Sequence, residues 1–326
     1  MNARSEAVFT ISIPRMFRLA APVLGLAAAL TLTTACKTSE DAAAAASQMT
    51  TTARDLAGYY ARMDTVVVDT IELNRLQSVL LGTTFNDQDV AQLKQTEQEI
   101  GKREDLARNL RDLSASFTKL TGATSAKEVA TASNRLGSAL SSISSLPGGS
   151  ALPAALATAG KEVEALAQEH REREAGKALD ATASAVSELF RQEQPAYDAL
   201  FMQNLVLAQS LAAELLKRGW VNEGELLSPI LQPFHLAPPQ SSPEIHQKLM
   251  PYAQQQLATQ MAALTAAEKK ATDGMTKALD EMSERIHQLA SDKAMDKRST
   301  PLTLADVEKW IDTATSAVGS NATDQN

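Results

Sequence analysis

From Leu257 to Leu289 the apolar residues Leu257, Met261, Leu264, Ala271, Met275, Leu279, Met282, Ile286 and Leu289 recur at steps of three and four, and Glu268 is the one charged side chain on that stripe. Such steps keep a single face in register on a helix of 3.6 residues per turn. A helix over about 244–293 would be roughly 75 Å long at 1.5 Å per residue. A stripe of that length cannot bury itself. It requires partner helices of similar length, which selects a helical bundle over any architecture built on a sheet.

The rest of the chain supplies the partners. Aromatic residues are only 4% of it, and Ala and Leu, both strong helix formers, dominate. A first helix is predicted to end at Gly82, with Leu56, Tyr59, Tyr60, Met63, Val67, Ile71, Leu76 and Val79 as its apolar positions. Asn86 or Asp87 caps a second, whose Leu106, Leu110, Leu113, Phe117 and Leu120 make another seam, and Gly122 stops it. Ser125 opens a third helix carrying Val129, Leu136, Leu140 and Ile143, followed by a Pro/Gly/Ser turn at 144–153. A fourth segment runs from near Ala151 to Phe190, with the charged stretch 169–177 projecting into solvent or facing only one neighbour. Pro195 kinks or breaks it, and a fifth continues to about Arg218. Thr303 caps a short last helix with Leu304, Val307, Trp310 and Ile311. The expected fold is all-α: an elongated antiparallel helical bundle with long coiled-coil-like helices over 53–318 and a disordered tail at 319–326.

The chain has one cysteine, Cys36. Before it, Leu19 to Leu32 is uncharged and apolar, and Arg15 and Arg18 precede that run. The run is too short to span a bilayer, which takes roughly 20 residues of helix. A basic flank, a short apolar run and a small-residue exit form the pattern of a secretory signal. Leu32-Thr33-Thr34-Ala35-Cys36 resembles the lipobox of bacterial lipoproteins, where signal peptidase II cuts before a cysteine that carries diacylglycerol. The resemblance implies that 1–35 is a signal peptide and that Cys36 is lipidated. The stretch 36–52 then reads as the lipidated cysteine and a tether, with Ser39 to Thr52 either flexible or the frayed start of the first helix, since polyalanine favours helix. It implies a membrane anchor in the bacterial cell envelope. Lys37, in place of an inner-membrane-retaining aspartate, resembles the outer-membrane class. With no second cysteine, no intrachain disulfide forms.

Motifs for chemistry are missing from the sequence. His170, His235, His246 and His287 do not lie at metal-ligand spacing from one another, and there is no glycine-rich phosphate loop or nucleophile elbow. Glu284 and His287 form one Glu-x-x-His, the spacing that ferritin-like di-iron bundles use twice. The stripe through Met282, Ile286 and Leu289 places both residues off the inward face, and no second copy occurs. No metal, cofactor or catalytic residue is therefore expected. Glu268 on the stripe needs a partner if buried, and none is legible. Met261, Met275 and Met282 read as core filler. The net charge of −8 gives no basic surface for nucleic acid.

Residues 219–243 stand apart, with five of the twelve prolines and a set of large hydrophobes in what reads as a long non-helical connection. Those hydrophobes either cap the bundle or, through Trp220, Leu231 and Phe234, present a partner-binding surface. The expected function is that of an envelope lipoprotein acting as a helical binding or scaffold protein for another envelope protein, without catalysis and in an unspecified oligomeric state. The alternative is a bundle that binds a small molecule or metal between helices, with or without enzymatic activity. A membrane-active toxin would need a long apolar hairpin, and no run of 18 consecutive apolar residues follows Cys36.

Overall fold

Helix α1, Ala20–Leu81, is the first of the long elements. It is followed by α2, Asp87–Leu120, and α3, Ala126–Ser142. Next come α4, Ala154–Glu169, and α5, Glu172–Lys217. A connection containing the four-residue α6, Ser228–Leu231, leads to α7, Pro243–Ala290. The computed structural model describes residues 20–82, 84–120, 126–169, 172–240, 242–291 and 307–311, and no strand occurs among them. The protein is an all-α helical bundle. Gly122, Ser125, Thr303, Leu304 and the tail 319–326 lie outside the described residues.

Helix α1 packs on α2, α5 and α7, and α2 to α5 pack each on the next, so α1 to α5 close into a ring. Helix α7 lies along α1 and α5. Side-chain pairs give the directions. Tyr59 meets Phe190 and Tyr197, while Asn204 reaches the Val66 carbonyl and Thr70, so α1 and α5 run the same way. His287 meets Asp180, Ser187 meets Asp280 and Thr265 meets Met202, so α5 and α7 run in opposite directions.

Three boundaries differ from the sequence reading. The stretch 36–52 is not a separate tether, because α1 runs through it and Ala45, Ala46, Met49 and Thr52 are buried. Polyalanine favours helix, and its small side chains suit close packing. The segment predicted from Ala151 to Phe190 is two helices, α4 and α5, packed against each other. Pro195 lies inside α5 and does not end it. Its ring faces solvent, where water can take up the carbonyl that loses its backbone donor.

The core follows most of the predicted stripes: Leu56, Met63, Val67, Leu106, Leu110, Leu113 and Leu136 are buried, whereas Leu76 and Val79, near the end of α1, are exposed. The long stripe of α7 is only half covered. Glu268, Ala271, Met275, Leu279, Met282 and Ile286 are buried, Leu257 and Met261 are half-buried, and Leu264 is exposed. Glu284 and His287 are exposed, as the register requires.

An aromatic knot joins α1, α5 and the helical stretch 307–311. Tyr59 packs edge-on to Phe190 at 5.1 Å and stacks on Trp310 at 5.2 Å. Val307 and Trp310 are buried, and Arg54 bonds Glu308 at 2.9 Å. The stretch approaches α1 closely at Gly58, where a Cβ would stand 2.9 Å from the Ile311 Cδ1. An alanine at 58 would require the Ile311 side chain to shift.

Candidate functional site

Two buried polar groups and one exposed apolar surface stand out. The first polar group is centred on Arg103, the largest fully buried side chain. Its Nε donates to Glu193 at 2.7 Å, one terminal nitrogen donates to the Glu99 carbonyl at 2.7 Å, and the other to the Ser144 carbonyl at 2.8 Å. Further bonds go to the second Glu193 oxygen and to the Glu99 carboxylate. All five N–H groups of the fork are thereby used. Tyr197 donates to Glu193 at 2.6 Å, and Glu99 also takes Lys102 and the Ser144 amide. Burial pulls the Arg103 pKa down, while the hydrogen bonds and charge of Glu193 push it up, and the push prevails. The Tyr197 phenol is held well above its usual range, first by burial and then by Tyr60 and Glu193. The Arg103 guanidinium is wholly enclosed, and its bonds tie α2 to α5 and to the segment that follows α3.

The second group answers the question posed by Glu268. It is 4% exposed and faces Asp198 of α5, another acid, across a shared hydrogen bond. Thr272 donates to Glu268 at 2.9 Å and lies 3.1 Å from the Tyr59 hydroxyl. The Glu268 carboxyl is pushed up to about 7, chiefly by burial and also by the charge of Asp198. A proton shared between the two acids keeps the pair from repelling. No group of three or more His, Cys, Asp or Glu placed to hold a metal occurs among the described residues.

The exposed surface lies at the α5–α7 connection, which is partly helical rather than irregular. A 3-10 turn, Glu223–Leu227, precedes α6, and a second, Gln232–Phe234, follows it. Within it Trp220 is 55% exposed, Ile230 64%, Phe234 70% and Leu236 58%. Leu231 is half-buried. Arg218 lies over the Trp220 ring at 5.1 Å, which holds the indole outward. Of the three residues that sequence reading named for this surface, Trp220 and Phe234 are therefore displayed, while Leu231 packs partly inward. The exposure extends onto the adjoining helices through Val206, Tyr252 and Leu264. Helix α5 contains a stretch long and apolar enough to cross a membrane by length and composition, yet only 22% of it is buried in the protein.

Sequence reasoning missed Arg103, Glu193 and Asp198. Their spacing is that of ordinary surface charges, and nothing local separates them from the neighbouring Lys102, Glu188 or Asp273. Cys36 lies within α1, and its side chain is outside the described residues. Compared with known proteins, the chain matches no protein-family model, no curated protein and no solved structure.

Proposed function

We propose that this chain is a lipoprotein of the bacterial envelope, anchored in the outer membrane through Cys36. Its bundle holds an apolar tip away from the membrane to engage another envelope protein. The observation that carries the reading is the cluster of Trp220, Ile230, Phe234 and Leu236, exposed on the α5–α7 connection while the bundle beneath is well packed. Topology adds to it. Because α1 and α5 run the same way, the far end of α5 points away from the start of α1. At about 1.5 Å per residue along the two helices, the connection stands roughly 65 Å from Cys36. A scaffold role also fits a buried Arg103 whose hydrogen bonds all end on neighbouring helices and loops of the bundle. Aromatic anchors such as Trp220 and Phe234 are the side chains that dominate binding energy when covered by a partner.

The test has two arms. Metabolic labelling with an alkyne fatty acid is expected to mark the wild-type chain and not Cys36→Ala, which accumulates as the longer precursor. A photo-crosslinking residue at position 234 is expected to give one discrete adduct in intact envelope, and the same residue at the exposed polar position 284 none. Normal maturation of Cys36→Ala would refute the anchor. Identical adducts from both positions, or no adduct from 234, would refute the tip.

A further inference from the structure

The helical stretch 307–311 fills a groove that α1, α5 and α7 form together. Val307, Trp310 and Ile311 stand at i, i+3 and i+4, the spacing by which an amphipathic helix fills an apolar groove. Val307 is fully buried beside Gly274 of α7, where a Cβ would stand 3.5 Å from the Val307 Cγ2. Trp310 meets Tyr59 of α1 at 5.2 Å and Phe201 of α5 at 6.2 Å. Ile311 packs over Gly58 of α1. Glu308 and Lys309, between the anchors, are exposed.

The stretch owes its helix to the groove, because isolated helices shorter than about 12–15 residues are marginal in water. Its pairing of Glu308 with Arg54 joins side chains that are 53% and 56% exposed, and such pairs contribute little, so the apolar anchors carry the attachment. The polar atoms beside the groove are incompletely met. Asp55 is 4% exposed, and its Oδ2 has no hydrogen-bond partner among the described residues. Its other oxygen takes Arg54, the residue that also bonds Glu308. The Arg62 Nε is likewise buried and without a hydrogen-bond partner, and its guanidinium lies over the Trp310 ring at 5.9 Å. Buried polar groups are normally bonded. Here an acceptor and a donor bracket Gly58 and Tyr59 along α1, so 307–311 covers the apolar floor and leaves both unmet.

The resident stretch shows what the groove accepts: a close apolar approach at Gly58, an aromatic ring between Tyr59 and Phe201, and an acid opposite Arg54. We propose that this groove is a docking site for an amphipathic helix of a partner protein, with bulky apolar residues at i, i+3 and i+4 and an acid at i+1, and that 307–311 is the chain's own segment holding the site until that helix displaces it. A longer helix carries further polar side chains, which can meet the Asp55 Oδ2 and the Arg62 Nε. Displacement requires local opening of five residues, which costs less than unfolding the bundle. The site is separate from the tip at Trp220 and Phe234, and the inference rests on neither the membrane anchor nor the partner of that tip.

The probe is a fluorescein-labelled synthetic peptide of residues 303–315, TLADVEKWIDTAT, titrated with the full chain and followed by anisotropy. Trp310→Ala in the full chain removes the central anchor of the resident stretch and is expected to bind the peptide at least tenfold more tightly than the wild type. Adding Gly58→Leu, which places a side chain where Ile311 packs, should lower that affinity at least tenfold. A peptide with alanine at the tryptophan position should not bind. Hydrogen exchange of the wild type is a second measurement that needs no variant. Excess isotope-labelled peptide should speed exchange of the amides 308–311 at least tenfold and leave those of 275–282 unchanged. Equal affinity of wild type and Trp310→Ala, undiminished binding by the Gly58→Leu double variant, or exchange at 308–311 that ignores the peptide would each overturn the proposal. So would loss of the helical circular dichroism in Trp310→Ala, which would make the stretch an integral part of the core, or a wild-type dimer that Trp310→Ala dissociates, which would seat a second copy in the groove.

Discussion

Replacing Arg103 with methionine keeps much of the side-chain volume and removes the charge. Glu193 then loses both of its bonds to the guanidinium and stays buried at 4% exposure. The Ser144 carbonyl loses its donor as well. Glu99 is less affected, since Lys102 and the Ser144 amide remain at 2.7 and 3.2 Å. The damage is therefore one stranded carboxylate and one stranded carbonyl. Breaking a buried ion pair from one side costs about 3–5 kcal/mol. In a chain of this size that lowers the melting temperature by roughly 4–7 °C. Glu193→Leu alone should cost a similar amount, because it strands the guanidinium. The double variant Arg103→Met/Glu193→Leu strands neither charge and should cost less than either single change. What remains is the Tyr197 hydroxyl without its acceptor and the Ser144 carbonyl without its donor, each worth about 1–3 kcal/mol. Adding Tyr197→Phe should recover the first of these. Urea unfolding of the full chain, followed by helical circular dichroism, closes the cycle. If the double variant costs the sum of the singles, or if each single costs under about 1 kcal/mol as surface pairs do, the buried network does not exist as described.

Glu268→Gln should alter the pH dependence of stability. The Glu268 carboxyl rises from an ordinary 4.5 to about 7 on folding, so its contribution is fully present below the lower value and is lost as pH climbs through the upper. Thermal unfolding should show the wild type weakening over that window and the glutamine variant flatter and more stable by about 2–3 kcal/mol above pH 7; parallel pH profiles would contradict it. Met282→Asp, which buries an unpartnered charge on the covered half of α7, should destabilise by several kcal/mol. His287→Ala should change stability by only about 0.5 kcal/mol, since its side chain is 61% exposed and its one acidic partner is Asp180. The opposite ranking in a melting experiment would overturn the register of the helix.

The stripes on α2 and α7 were legible because burial on a helix repeats every three or four residues, and a local pattern records it. The inward positions of Leu279, Met282 and Ile286, and the outward ones of Glu284 and His287, followed from that repeat. The hairpin between α4 and α5 was not legible. A charged stretch reads the same whether a helix crosses it in solvent or the chain turns back. Of the kink or break expected at Pro195, the break does not occur: the proline lies inside α5 with its ring exposed, where water can reach the carbonyl it orphans.

The sequence by itself determined an all-α bundle, the residues that line its core, and the connection where large hydrophobes gather. Those properties depend on periodicity and composition, which are local. Only the tertiary structure decided that Arg103 meets Glu193 across 90 positions, that Glu268 faces an acid, and that Trp220 and Phe234 stay uncovered while the covered half of the α7 stripe ends near Glu268. Each of these depends on which helix lies beside which and in what direction. That choice is set by summed packing over the whole molecule, and no single segment records it.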